Sequence, residues 1–136
     1  MKNISLFLVV LFCIGLTGCS KDAEINAFIT DFDAATKEIV AKIDANPTAA
    51  GMDEAQKAFD GKKASLKAKF DGIKGAMGFQ VSADTKKKLE ESMANSGKAL
   101  LDVSMKNAMK LATDKEATAK FKTLLNDFQS TFAVTK

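Results

Sequence analysis

The chain has no histidine, arginine, tryptophan or tyrosine, and only one proline and two cysteines among its 136 residues. Each absence removes chemistry. Without an imidazole there is no serine or cysteine triad of the kind that uses a histidine base. Zinc sites of the Cys/His kind and the CxxCH attachment of a c-type haem are excluded as well. Without a guanidinium there is no planar, bidentate clamp for a phosphate or a base edge. All 20 basic residues are therefore lysines, set against 17 acids for a formal charge of +3. The signs alternate along the chain instead of clustering, so the basic pI does not indicate a nucleic-acid footprint. No Walker A loop, GxGxxG or EF-hand loop is present. Asp44-Ala-Asn46-Pro-Thr48 opens like a calcium loop, but Ala49 occupies the sixth position and Ala55 the twelfth, where glycine and glutamate are needed. Asp31 and Asp33 are two apart, a spacing that does not share a helix face, and make a poor acid/base or metal pair. No catalytic, metal-binding or cofactor-binding residue is assigned, and the chain is not expected to be an enzyme.

What is present begins at the N-terminus with MKNISLFLVVLFCIGLTGC. Lys2 gives a positive start. Ile4 to Ile14 form an apolar stretch broken only by Ser5, too short for a spanning helix of roughly 20 residues. This is the pattern of a secretory signal, to be set aside before the fold is read. It ends not on a small-x-small site but on Leu16-Thr17-Gly18-Cys19, which resembles the lipobox of bacterial lipoproteins. The resemblance covers the signal and one mature residue. It implies that the Cys19 thiol is alkylated by a diacylglyceryl group, that a signal peptidase cuts between Gly18 and Cys19, and that the new amine is acylated. One acyl chain holds a protein to a bilayer marginally, whereas two hold it stably. With Ser20, not Asp, after the cysteine, the resemblance favours the outer over the inner membrane of a diderm bacterium, on its periplasmic or surface face. Cys13 leaves with the signal and Cys19 carries lipid, so no disulfide is expected. The expected organisation is a cleaved signal at 1–18, the lipidated cysteine and a short tether at 19–22, and one α-helical domain at 23–136.

That domain is rich in alanine and lysine, a helix-forming composition. Apolar residues in steps of three and four confirm it. A first helix carries Ile25, Phe28, Ile29, Phe32, Ala35, Ile39 and Ile43, and Asn46-Pro47 ends it. A second, starting near Asp53-Glu54 or with Asn46 as its cap, carries Met52, Ala55, Phe59, Leu66, Phe70, Ile73 and Met77. Gly78 reads as its C-terminal glycine, with Phe79 folding back on Ile73. Ser82 or Asp84 caps a third helix through Leu89, Met93, Leu100, Leu101, Met105, Ala108 and Ala112, and the small Ser96 and Gly97 mark a close helix contact. The apolar phase then jumps, and Thr113-Asp-Lys-Glu116 reads as a capping box. A fourth face follows at Ala117, Phe121, Leu124, Leu125, Phe128 and Phe132. Each stripe needs a partner, so the expected fold is all-α, a small up-down bundle of four helices. A long helical hairpin or a three-helix bundle is the alternative.

Several features invite a sharper reading. The FDG sequence at 59–61 recurs at 70–72, a spacing that returns to nearly the same helix face, and is read as two Phe on one core stripe. Met93, Met105 and Met109 could suggest thioether ligands for copper, though methionine is ordinary core filler. Lys86-Lys87-Lys88 is the densest basic run and is read as a solvated first turn in preference to an anionic-lipid site. The expectation is a membrane-anchored envelope lipoprotein that acts as a structural or protein-interaction module. Its expected partners are membrane lipid, through the Cys19 anchor, and an envelope protein, with no nucleic acid. The alternative is a binding module that takes a hydrophobic ligand, lipid or metal through its Phe/Met-rich core.

Overall fold

The computed structural model describes residues 20–76 and 80–133. The lipobox, including Gly18 and Cys19, lies outside the described residues, as do Met77, Gly78 and Phe79. Among the described residues every regular element is helical: α1 (Asp22–Ala45), α2 (Ala49–Lys74), α3 (Ala83–Lys106), α4 (Ala108–Thr113) and α5 (Lys115–Thr131). The all-α bundle is thus observed, with the short α4 inserted between its last two long helices. At about 1.5 Å per residue, α1, α2 and α3 are each about 36–39 Å long.

The ends of the helices follow from local chemistry. Asp22 and Glu24 lie in the first turn of α1 and Lys42 in its last, which suits the helix dipole at both ends. Asn46-Pro47 stops α1 as expected. The start of α2 differs from the expectation: the cap is Thr48, whose Oγ1 accepts the Gly51 N–H at 3.5 Å. The chain turns so tightly here that a Cβ on Gly51 would stand 1.7 Å from the Asn46 carbonyl oxygen. Only glycine fits at that point. Ser82 caps α3, accepting the Thr85 N–H at 3.3 Å. The break expected at Thr113 lies there, but the cap is Asp114, whose Oδ1 accepts the Ala117 N–H at 2.9 Å. The other oxygen of Asp114 accepts from Ala49 at 3.3 Å, so one carboxylate ties the N-termini of α2 and α5 together. A second break, at Asn107, separates α3 from α4.

Cross-helix bonds give the directions. Ser82 N–H to Asp22, Ser92 to Asp33, Thr36 to Ser96 and Lys106 to Asp44 run in the same order on both helices, so α1 and α3 are parallel. Lys69 to Asp31 and Lys62 to Glu38 run in opposite order, so α1 and α2 are antiparallel. Lys120 to Asp53 and Lys63 to Asp127 make α2 and α5 parallel. The long helices therefore run up, down, up, down. Their order in space is α3, α1, α2, α5, because the close long-helix pairs are α1 with α2, α1 with α3, and α2 with α5.

The core is densest where α1, α2 and α5 meet. Phe28, Phe32, Phe59, Phe70, Phe128 and Phe132 are all buried there. The Phe132 ring lies 4.9 Å from that of Phe32, 5.3 Å from Phe128 and 5.7 Å from Phe70. Phe59 and Phe70, the two FDG phenylalanines, are in this core, as one shared stripe requires, while Asp60 and Asp71 are exposed.

Candidate functional site

The contact between α1 and α3 has a different chemistry. The buried face of α3 is Thr85, Leu89, Ser92, Ser96, Leu100 and Val103, followed by buried Asn107. Half of α3's own buried face is small and polar, and each hydroxyl has a partner. Ser92 Oγ donates to Asp33 Oδ1 at 2.5 Å, and Thr36 Oγ1 lies 3.1 Å from Ser96 Oγ. Asn107 Nδ2 donates to the Val103 carbonyl at 3.0 Å and reaches Asp44 at 3.4 Å. These short side chains let α3 sit against α1 at little expense in unpaired polar groups.

Two carboxylates fasten the ends of this seam. Asp22 is held below the usual carboxylate range chiefly by the Ser82 backbone N–H. Asp44 is held low by bonds from Lys106 and then Asn107. Asp114 is lowered in the same way by the Ala117 N–H and, less strongly, by Ala49. All three are anchors of the fold.

The register that seats the polar face of α3 on α1 turns its apolar residues elsewhere. Leu101 and Met105, expected in the core, are 54% and 68% exposed, and Met109 is 87% exposed. Ala108 and Ala112 are exposed too. These three are the only large exposed hydrophobic side chains among the described residues. The physical reason is a competition of faces: the hydroxyls, once bonded to Asp33 and Thr36, bury more readily than their hydropathy suggests, and the helix rotates to use them.

α3 and α5 do not close on each other, since their backbones are not among the close pairs. Between them lies an apolar groove of about 250 Å³. Phe32, Phe128 and Phe132 form its floor; Met93, Gly97, Leu100, Leu101 and Leu125 form its walls. Gln129 is its one polar residue, and none of its lining is charged. Gly97, read as half of a close helix contact, faces this open space: a Cβ there would meet nothing within 4 Å. Ser96 alone makes the contact.

The other sequence features disperse. Met93 lines the groove, whereas Met105 lies twelve residues on, about 18 Å along the helix; the three methionines do not converge. Asp31 pairs with Lys69 and Asp33 with Ser92, on opposite sides of α1. Asp44 is engaged by Lys106, and Asn46 accepts from Thr48. Among the described residues no group of three or more Cys, His, Asp or Glu is placed to hold a metal ion. No described helix is long and apolar enough to cross a membrane. A scan against protein-family models, curated proteins and solved structures finds no match to the chain.

Proposed function

We propose that the protein is a small cell-envelope lipoprotein, anchored through Cys19, whose helical bundle acts as a protein-interaction module. The observation that carries the interaction half is the placement of Leu101, Met105 and Met109. A small soluble bundle rarely gathers its exposed large apolar side chains in one region without a use for them. Here they lie on α3 and α4, towards the end of the bundle away from Asp22. Methionine suits such a face because its unbranched thioether adapts to different partners.

The anchor half rests on the LTGC sequence. Only Ser20 and Lys21 separate Cys19 from α1. A tether this short, at no more than about 3.6 Å per residue, keeps the bundle on its membrane with the start of α1 beside the headgroups. Two experiments test the reading. Cys19→Ser should leave an unprocessed or mislocalised precursor that takes up no labelled palmitate; equal labelling of mutant and wild type would sink the anchor. A photo-crosslinker at Met109 in intact cells should capture a discrete envelope protein that the same probe at Asp60 misses. Identical products from both positions would remove the interaction face.

The groove favours a second reading, a module that binds a hydrophobic ligand. Its uncharged lining suits hydrocarbon better than a headgroup or an ion.

A further inference from the structure

We infer that the groove between α3 and α5 is a binding site for an acyl chain, and that its occupant is one of the chains carried by Cys19 itself. The inference rests on the lipoprotein reading and adds a destination for part of the anchor. Three observations support it.

The first is chemistry. The lining residues offer phenyl rings, thioether and aliphatic carbon, with Gln129 the only polar side chain. A peptide brings backbone N–H and C=O groups, and a phosphorylated ligand brings charge, that this surface leaves unanswered. An alkyl chain brings none. The second is shape. Gly97 leaves the α3 wall open, with nothing within 4 Å of where a side chain would begin. Met93, half-buried at the rim, can adjust to a chain lying across it.

The third is reach. Cys19 precedes Lys21 by two residues in the sequence, and the backbone of Lys21 is fixed beside the segment leading into α3 by its N–H donating to the Gln80 carbonyl at 3.0 Å. From Asp22, Phe28 lies six residues up α1 and Phe32 ten residues up, about 9 and 15 Å. Phe132, on the floor of the groove, packs on both. An acyl chain spans half of a bilayer core of about 30 Å, or about 15 Å. Together with the tether, one chain therefore reaches the floor. The resemblance at Cys19 implies three chains, and two suffice to hold a protein on a bilayer. The third is free to leave the membrane for the groove, an exchange of one hydrocarbon environment for another that forfeits little hydrophobic free energy. Membrane attachment survives the transfer.

The test uses the full-length protein in growing cells fed a fatty acid that carries a photoactivatable diazirine. After irradiation the protein is purified, digested and mapped by mass spectrometry. The expected product is a peptide beginning at Cys19 joined through its acyl group to a peptide from 93–101 or 125–132. Gly97→Leu, which fills the groove, should reduce that product several-fold while leaving the label on Cys19 and the thermal midpoint unchanged or raised. Labelled Cys19 with no crosslink to either segment would overturn the inference and leave the lipoprotein reading standing. A groove peptide carrying an adduct from a membrane phospholipid, with no link to Cys19, would also overturn it, because the occupant would then come from the bilayer. A Cys19 peptide without label would overturn both.

Discussion

α1 is held on two sides by different means. Towards α2 and α5 it contributes Phe28 and Phe32 to a cluster of six buried rings. Towards α3 it presents Asp22, Asp33, Thr36 and Asp44, each bonded across the seam. The first contact draws on area: burying one such ring is worth about 1.5–3 kcal/mol, and favourable ring pairs add about 0.5–1.5. The second draws on direction. The one neutral bond among these, Thr36 to Ser96, contributes a net of about 0.5–1.5 kcal/mol; the carboxylates at the two ends of the seam are screened by solvent, and exposed ion pairs such as Lys106–Asp44 contribute less. The difference teaches that α1, α2 and α5 form the stable frame, while α3 is set in register more than it is held. α3 is also one wall of the groove and the carrier of Leu101 and Met105.

The comparison breaks most sharply at the rings. Phe128→Ala, which removes contacts at 5.4 Å to Phe32 and 5.3 Å to Phe59, should cost about 3–5 kcal/mol. That is a large part of the roughly 5–15 kcal/mol typical of a domain. Denaturant melts should show the loss directly; a cost similar to that of Lys122→Ala, on the exposed side of α5, would mean the ring cluster does not hold the frame. Next is Ser96→Leu, which forces a large side chain into the small-residue seam at about 1–3 kcal/mol. It should loosen α3 while the frame keeps its protection, as residue-level hydrogen exchange would read. Gly51→Ala should destabilise the α1–α2 turn by steric conflict with Asn46, whereas Gly61→Ala, in open space, should stabilise by up to about 1 kcal/mol. Thermal midpoints moving the same way would contradict the close approach at Gly51.

Acid gives the mildest perturbation of the seam. Asp22 and Asp44 have folded pKa values below the usual carboxylate value. Their contribution is therefore complete above the unfolded pKa of about 3.9 and is lost as pH falls through the folded values. Below about pH 4, both ends of α3 should loosen together. Asp114 weakens over the same range at the α2 and α5 starts, and Asp71, bonded to Lys67 and Lys74, does so within α2 alone. Asp22→Asn with Asp44→Asn should reproduce the α3 part at neutral pH. If the double variant leaves α3 exchange unchanged, these carboxylates are not its fastenings.

Periodicity was a reliable guide wherever a buried face was also apolar. Ile25, Phe28, Phe32, Ala35, Ile39 and Ile43 are buried as their spacing requires, and so are Ala117, Phe121, Leu124 and Phe128. It misled on α3, where the buried positions include Thr85, Ser92, Ser96 and Asn107. Hydropathy counts those residues as wet; their bonds to α1 make them dry. A signal was available in the spacing 85, 89, 92, 96, 100, 103, 107, a regular seam of threes and fours, set against Asp33, Thr36 and Asp44 on α1. The groove could not be read from either helix alone. It arises because α3 lies beside α1 and not beside α5, an arrangement that no local motif marks.

Whether α3 is held less firmly than the frame is read by hydrogen exchange on the full-length wild-type protein at neutral pH, comparing amides of α3 between Lys86 and Met105 with those of α2 between Asp53 and Ile73. Elements held by less apolar burial than their neighbours open at lower free energy than the global transition, and half of the buried face of α3 is polar. α3 should exchange through such a partial opening while α1, α2 and α5 stay protected. Exchange of all four long helices together, at one common opening free energy, would show that the polar seam holds as firmly as the ring cluster and would contradict the weaker hold on α3.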